Sequence, residues 1–423
     1  MARKMKDSGI EWIGEIPEEW EVLAHKYIMH KEKSICEHYS GEDVISLTLN
    51  GVVKRDLENP SGKMPTTFDG YQFVDPNDLL LCLFDIDVTP RCVGLVKDYG
   101  VTSPAYSRFK IHSGFCNAYY NYLLRFIDDE KVFVHLSKNL RSSLTESDFS
   151  AIKTIVPPKA EQQRIADYLD NRTFEIDTLL SKARSSIEEY KKLKQAVITQ
   201  AVTKGVRGER EMKDSGVEWI GAIPKDWEIK RLKSFCTIVD CKNRTPDVFP
   251  DGKYTVVRTT CIKDCSFSYE GSYQTDTTNF KAWTLKGQPH KGDIFFTREA
   301  PVGEACLVPN ADNLCMGQRV MFFRPEDNSD ARYIMYSIYG PLVREYIASK
   351  NSGSTVGHLK LGQVACIPIF YCPPLEQKEI ADYLDAKCAE INGLIAKKEQ
   401  LVKELESYKK SLIYEVVTGK REV

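Results

Sequence analysis

Two stretches of the chain repeat apolar residues at helical spacing. In the first, Ile176, Ala183, Tyr190 and Val197 recur every seven residues, Leu179 and Leu193 take the second heptad column, and Leu180 and Ile187 widen the stripe. In the second, Ile391, Leu405 and Leu412 alternate with Leu394, Leu401 and Tyr408, and Lys398 is the polar exception. Each stretch follows a proline pair, Pro157-Pro158 or Pro373-Pro374, which suits a helix entry. Glu161 and Glu376 then lie in the first turn, where a carboxylate complements the helix dipole. Gly205 and Gly419 stand where the runs stop. The pattern predicts two helices of roughly 40 residues, each about 60 Å long at 1.5 Å per residue, pairing antiparallel as a coiled coil.

The intervening regions, about 23–156 and 230–372, carry short β-rich runs instead. Val52-Val53, 79–84 and 92–96 read as strands in the first, and 254–257, 294–297 and 306–308 in the second. Asn77-Asp78-Leu79-Leu80 stands where Gly292-Asp293-Ile294-Phe295 stands, and Gly94-Leu95-Val96 matches Ala305-Cys306-Leu307-Val308. Similar scaffolds with different loops predict one task performed on two targets.

The chain is in fact written twice. Lys6-Asp7-Ser8-Gly9-Ile10-Glu11-Trp12-Ile13-Gly14 returns as Lys213-Asp214-Ser215-Gly216-Val217-Glu218-Trp219-Ile220-Gly221. At the same offset Ile16-Pro17 and Trp20-Glu21 return as Ile223-Pro224 and Trp227-Glu228. A second block, Glu161-Gln162 through Ile165-Ala166-Asp167-Tyr168-Leu169-Asp170, returns as Glu376-Gln377 through Ile380-Ala381-Asp382-Tyr383-Leu384-Asp385. The expected division is therefore a motif (1–22), a domain (23–158), a helical spacer (159–207), the motif again (208–229), a second domain (230–374) and a second spacer (375–423). The fold class is α+β: two mixed α/β domains separated by two long helices that form an antiparallel coiled coil. A plain coiled-coil dimerisation stalk is the alternative for the heptads, but it leaves the duplication unexplained.

Composition narrows the class. With 42% hydrophobic and 28% charged residues, the chain is expected to be a soluble globular protein. Residues 1–6 are polar and do not read as a signal peptide, and no apolar run nears the roughly 18–20 residues that span a bilayer, so a cytoplasmic protein without membrane contact is expected. The 13 cysteines are odd in number and scattered; Cys261 and Cys265 have ligand-like spacing without a second pair, so reduced structural thiols and no metal site are expected. The net charge of −2 removes any argument from global basicity, since phosphate contact needs only local clusters of Lys and Arg.

Such clusters are present. The second region offers Lys242, Asn243, Arg244 and Thr245, then Arg258, Arg298, and Gln318 with Arg319; its basic residues outnumber its acidic ones. Arg can bridge guanine O6 and N7, and Asn or Gln can pair with adenine, so these are candidate DNA contacts. The first region, close to charge-neutral, offers Lys54, Arg55, Arg91, Ser107 and Arg108. Ser354 and His358, in a polar loop, are candidate phosphate contacts. For each residue singly, a solvated surface charge is an equally good reading.

No catalytic residues are expected. A DNA methyltransferase would need Asn/Asp-Pro-Pro-Tyr/Phe, whereas both proline pairs continue with Lys159 or Leu375. There is no GxxxxGK[ST] loop for a motor ATPase and no HExxH. Pro246-Asp247 lacks a following Glu-x-Lys, and Glu189-Tyr190-Lys191 lies inside the heptads. A fused restriction enzyme is thus disfavoured, and a duplicated adaptor that binds no DNA stays as the rival reading.

The blocks at 8–20 and 215–227, the helix starts at 161–170 and 376–385, and the run Thr297-Arg298-Glu299-Ala300-Pro301-Val302-Gly303 together resemble the specificity subunit of type I restriction–modification enzymes. The resemblance spans essentially the whole chain in the family's order. It implies two target-recognition domains, each reading one half of a split asymmetric site in double-stranded DNA. It further implies helices that fix the gap and dock two modification subunits, which bring S-adenosylmethionine and methylate adenine. Motor–nuclease restriction subunits are an optional further partner. The chain itself would need no cofactor. Two departures stand out: the family's Gly-x-Thr-Pro loop is Asn243-Arg244-Thr245-Pro246 here, and the first region has Phe84-Asp85-Ile86-Asp87 in place of the Arg-Glu-Ala-Pro run.

Overall fold

A computed structural model of the chain describes residues 3–49, 51–60, 65–137, 142–351 and 357–423. The chain divides into two compact units. The first comprises Met1–Ala183 with Gln400–Val423, and the second Arg184–Glu399, so each unit takes one portion of each long helix.

The helices run Lys159–Lys204 and Pro374–Val417, 46 and 44 residues. In the first unit, Ile176 and Leu180 of the first helix share a core with Leu412, Ile413, Val416 and Val417 at the end of the second. In the second unit the ends exchange roles: Ile198, Ala201 and Val202 of the first helix join Ile380, Ala381, Leu384 and Cys388 of the second. The pairing is antiparallel, as the heptads predict.

The seam, however, differs by one column from the sequence reading. Ile176, Leu180, Ala183 and Ile187 are buried, whereas Leu179 and Leu193 are about half exposed. On the second helix Ile391 and Leu412 are buried, but Leu394, Leu401 and Tyr408 are exposed. The expected column at Ile176 and Ile391 is kept. Its companion lies four residues on, not three, because packing against globular domains broadens the stripe beyond a two-helix seam.

Each unit contains the same four-stranded antiparallel sheet. Its order is Val93–Leu95, Leu79–Leu81, Ser107–Ile111, Met29–Lys31 in the first, and Ala305–Leu307, Ile294–Thr297, Val320–Pro325, Cys236–Val239 in the second. The strands expected at 79–84 and 92–96 are shorter than predicted; those at 254–257 and 294–297 are as predicted. The second sheets differ. In the first unit Gly100–Thr102 is central, parallel to Val44–Thr48 and antiparallel to Tyr71–Val74. In the second Tyr254–Val257 is central, parallel to Leu314–Met316 and antiparallel to Tyr273–Thr275.

The two duplicated blocks explain each other, because they bind each other. In the first unit Glu161 accepts two bonds from Arg3 (2.6 and 2.9 Å) and one from the buried indole of Trp20 (3.0 Å), while Arg3 stacks on that indole. Lys420, just past the second helix, donates to the carbonyl of Ile13 at 2.8 Å. In the second unit Arg210 pairs with the fully buried Glu376 and stacks on Trp227, and Lys204 reaches the carbonyls of Ile220 and Ala222. The glutamines repeat too. Gln162 bonds Pro157 O and Cys116 N, and Gln377 bonds Cys372 O and Asp330 N. Tyr122 donates to Asp170 as Tyr336 does to Asp385. Each motif is a clasp joining the start of one long helix to the end of the other.

All 13 cysteines are free thiols, with Cys265 and Cys366 half-buried and the rest buried. Burial pushes the Cys236 thiol up to about 12, so it stays protonated and inert.

Candidate nucleic-acid interface

In the second unit the basic residues cluster where strand ends meet. Strand Cys236–Val239 runs into Asp240 and the loop holding Lys242, Asn243, Arg244 and Thr245, the last three exposed. Strand Ile294–Thr297 runs into Arg298. Arg298 grips Asp240 with one nitrogen at 2.9 and 3.1 Å and reaches Asn243 Oδ1 at 3.4 Å. Its backbone N–H donates to Arg319 O, and its carbonyl accepts from Leu359 N. Glu299 faces both Arg319 (3.4 Å) and His358 (3.5 Å). Four predicted residues, Asn243, Arg298, Arg319 and His358, are therefore assembled in one place by two carboxylates, Asp240 and Glu299.

Their roles separate by exposure. Arg298 is 12% exposed and committed to Asp240, so it organises the loop more than it offers itself to a ligand. Arg319, 45% exposed, keeps most of its fork open. The turn forces Arg319 to φ +78°, whereas Asn243 takes no left-handed geometry. The glycine missing from position 243 is therefore not missed. Gln318 lies beside Arg319, half-buried, and the exposed Arg258 bonds Gly271 O at 3.4 Å. Ser354 lies outside the described residues.

The first unit is less focused. Lys54, Arg55, Ser46, Thr48 and Tyr106 line one cleft of about 360 Å³. Lys54 is bound to Asp43 at 2.7 Å, so DNA would have to compete for it. Ser107 is half-buried on its strand, and Arg91 is half-buried just before strand Val93–Leu95, its Nε buried without a hydrogen-bond partner. Arg108 is a correction. It is 2% exposed, bonding Asp78 at 2.5 Å, Asp75 at 2.6 Å and Phe73 O at 2.9 Å, and so cannot reach DNA. Burial pushes the Asp78 carboxyl up, while the Asp75 N–H and Arg108 pull it down. In the second unit Asp293, likewise just before its strand, is held by Arg324 at 2.7 and 2.9 Å.

The organising acid Asp240 and Trp283 beneath the basic loop escaped the sequence reading, and Glu299 entered it only as part of the run 297–303, with no role assigned. Carboxylates do not attract notice in a search for phosphate contacts. Among the described residues no group of three or more His, Cys, Asp or Glu could hold a metal ion, and no helix is long and apolar enough to cross a membrane.

Residues 224–404 match the family model described as the type I restriction modification DNA specificity domain. Three chains of Methanocaldococcus jannaschii are similar. The one named for the MjaX type I restriction enzyme specificity subunit is 26% identical over 305 residues, covering 71% of this chain and 67% of that one. The MjaIX specificity subunit is 26% identical over 42% of this chain and 41% of its own. The MjaVIII specificity subunit is 25% identical over 64% and 63%. Among solved structures, a chain from work on complex assembly and conformational transition of the type I R-M system superposes with a TM-score of 0.70, covering 96% of this chain and 99% of its own at 15% identity. The HsdS subunit from Thermoanaerobacter tengcongensis gives 0.50 over 96% and 98%, also at 15% identity. At that identity the two structures speak for the fold alone. In sequence the chain is similar to the specificity subunits of type I restriction–modification systems, and residues 224–404 carry the match to their DNA specificity domain.

Proposed function

We propose that this non-catalytic subunit reads a bipartite, asymmetric site in double-stranded DNA, one half with each unit, and that the long helices set the gap between the halves. The supporting observation is the split between what is duplicated and what is not. Clasps, helix starts and four-stranded sheets repeat, whereas the loops bearing Lys54 and Arg55 in one unit and Lys242–Thr245 and Arg319 in the other do not. Two half-sites read by one chain make the second binding event effectively intramolecular, so weak halves add up to a tight whole.

The modification subunits would dock on the outward apolar column of the helices. Phe174, Leu179, Leu401 and Tyr408 are exposed in the first unit and Leu193 and Leu394 in the second, a cost to solubility unless a partner covers them. A motor–nuclease subunit joining that complex completes the proposal.

Binding to DNA is tested with Arg319→Ala and Arg298→Ala. Wild-type binding should fall steeply with salt, and each variant should lose about 1–3 kcal/mol at one half-site only. Flat salt dependence, or unchanged affinity in both variants, would favour a duplicated adaptor that does not bind DNA.

A further inference from the structure

The Lys242–Thr245 loop is pinned from below by a side chain that carries no charge. Trp283 ends the short helix Thr277–Trp283, and its indole Nε1 donates to Arg244 O at 3.1 Å. Over the same ring lie Lys242 Nζ, 4.7 Å from the centroid, and the Arg244 guanidinium carbon at 5.4 Å. Both cations are therefore gathered on one aromatic surface, which the ring's negative face favours. Further along, Tyr273 OH donates to Pro246 O at 2.7 Å, Thr275 Oγ1 to Asp247 O at 2.7 Å, and Asn279 Oδ1 accepts from Asp247 N at 3.3 Å. On the other side Arg298 ties the loop through Asp240 and Asn243. The loop is thus fixed on both flanks, and the Trp283 side is the one that touches its cations.

We infer that Trp283 is a positioning residue for base reading by the second unit: it holds Lys242 and Arg244 in one arrangement and thereby sets how sharply that half-site is discriminated. This rests on the DNA-reading function proposed above. Pre-ordering matters because a loop that must be ordered on binding spends part of its contact energy on that ordering. A loose loop still offers two positive charges to phosphates but loses the fixed geometry that distinguishes bases. Removing the ring should therefore cost specificity first and non-specific attraction least.

The probe is a library of random duplexes, selected with the complex purified from its host and carrying either the wild-type chain or Trp283→Ala. Wild type should enrich two half-sequences at a fixed gap. Trp283→Ala should keep one half and the gap, blur the other half, and lower affinity for the wild-type consensus about tenfold, with low-salt binding to unrelated duplexes within about twofold. Trp283→Phe, which keeps the ring and loses the Nε1 donor, should fall between the two. Both halves equally sharp in Trp283→Ala would overturn the inference, as would equal loss of consensus and unrelated binding, the mark of general unfolding. Should the wild-type chain enrich no sequence at all, the DNA-reading function itself falls, an outcome separate from failure of Trp283 alone.

Discussion

The two units solve the same packing problem and then diverge, and the places where they diverge show which parts are free to do so. Glu161 and Glu376, Gln162 and Gln377, and Tyr122 and Tyr336 hold matching positions and near-matching bonds, and Trp20 and Trp227 match in burial and in the arginine stacked on each, though only the Trp20 indole donates to its glutamate. These residues hold helix ends and cannot vary without loosening them. The strand order of the second sheet and every loop bearing an exposed cation differ. One interior position differs as well. His25 opens a short turn in the first unit where Leu232 opens it in the second, and both are fully buried.

The strongest way to break this comparison is at the clasp. Glu376→Ala empties a fully buried site and leaves Arg210 with only Asp226, and should destabilise the second unit by about 3–5 kcal/mol. Glu161→Ala should do the same to the first unit, where Trp20 Nε1 also loses its acceptor. Denaturant unfolding followed by fluorescence reads both; a loss under 1 kcal/mol in either would mean that the clasps are ornamental.

A smaller effect separates the interiors. Burial pushes the His25 imidazole down to about 4 from its ordinary 6.5, with the Phe149 carbonyl bond pulling the other way. The unfolded chain therefore binds a proton that the folded chain refuses between those two values. Stability contributed by the neutral ring is complete above pH 6.5 and is lost as pH falls towards 4. His25→Leu, which copies the second unit, should gain on wild type by roughly 3 kcal/mol across that window. Parallel stability curves from pH 7 to 4 would show that His25 does not titrate as its burial requires.

The smallest effect on folding belongs to the outward column. Leu179→Ser and Leu193→Ser should change stability by no more than about 0.5 kcal/mol, since neither side chain is in a core, yet weaken assembly with modification subunits. Undiminished co-purification would remove the column from the docking proposal.

Much of the architecture was legible because duplication is visible without coordinates. The helices, their ends at Gly205 and Gly419, and the paired scaffolds all follow from spacing and offset. What the clasp blocks do was not legible: Arg3, Glu161 and Trp20 are far apart in sequence, and nothing local announces that they meet. Leu179 and Leu193 were misplaced because a heptad admits two companion columns, and only the domains packed alongside decide between them. Arg108 looked like the exposed cations Lys54 and Arg244 because a buried ion pair and a DNA contact use the same residue type. Asp240 and Glu299 show the converse, acids whose service to a basic site appears only in three dimensions.

The central claim, that helix length sets the gap between two independently read halves, is tested most directly by inserting a few residues within 176–197 and mapping methylation across the host genome. The account predicts the same two half-sequences at a changed gap. Altered half-sequences at an unchanged gap would contradict it.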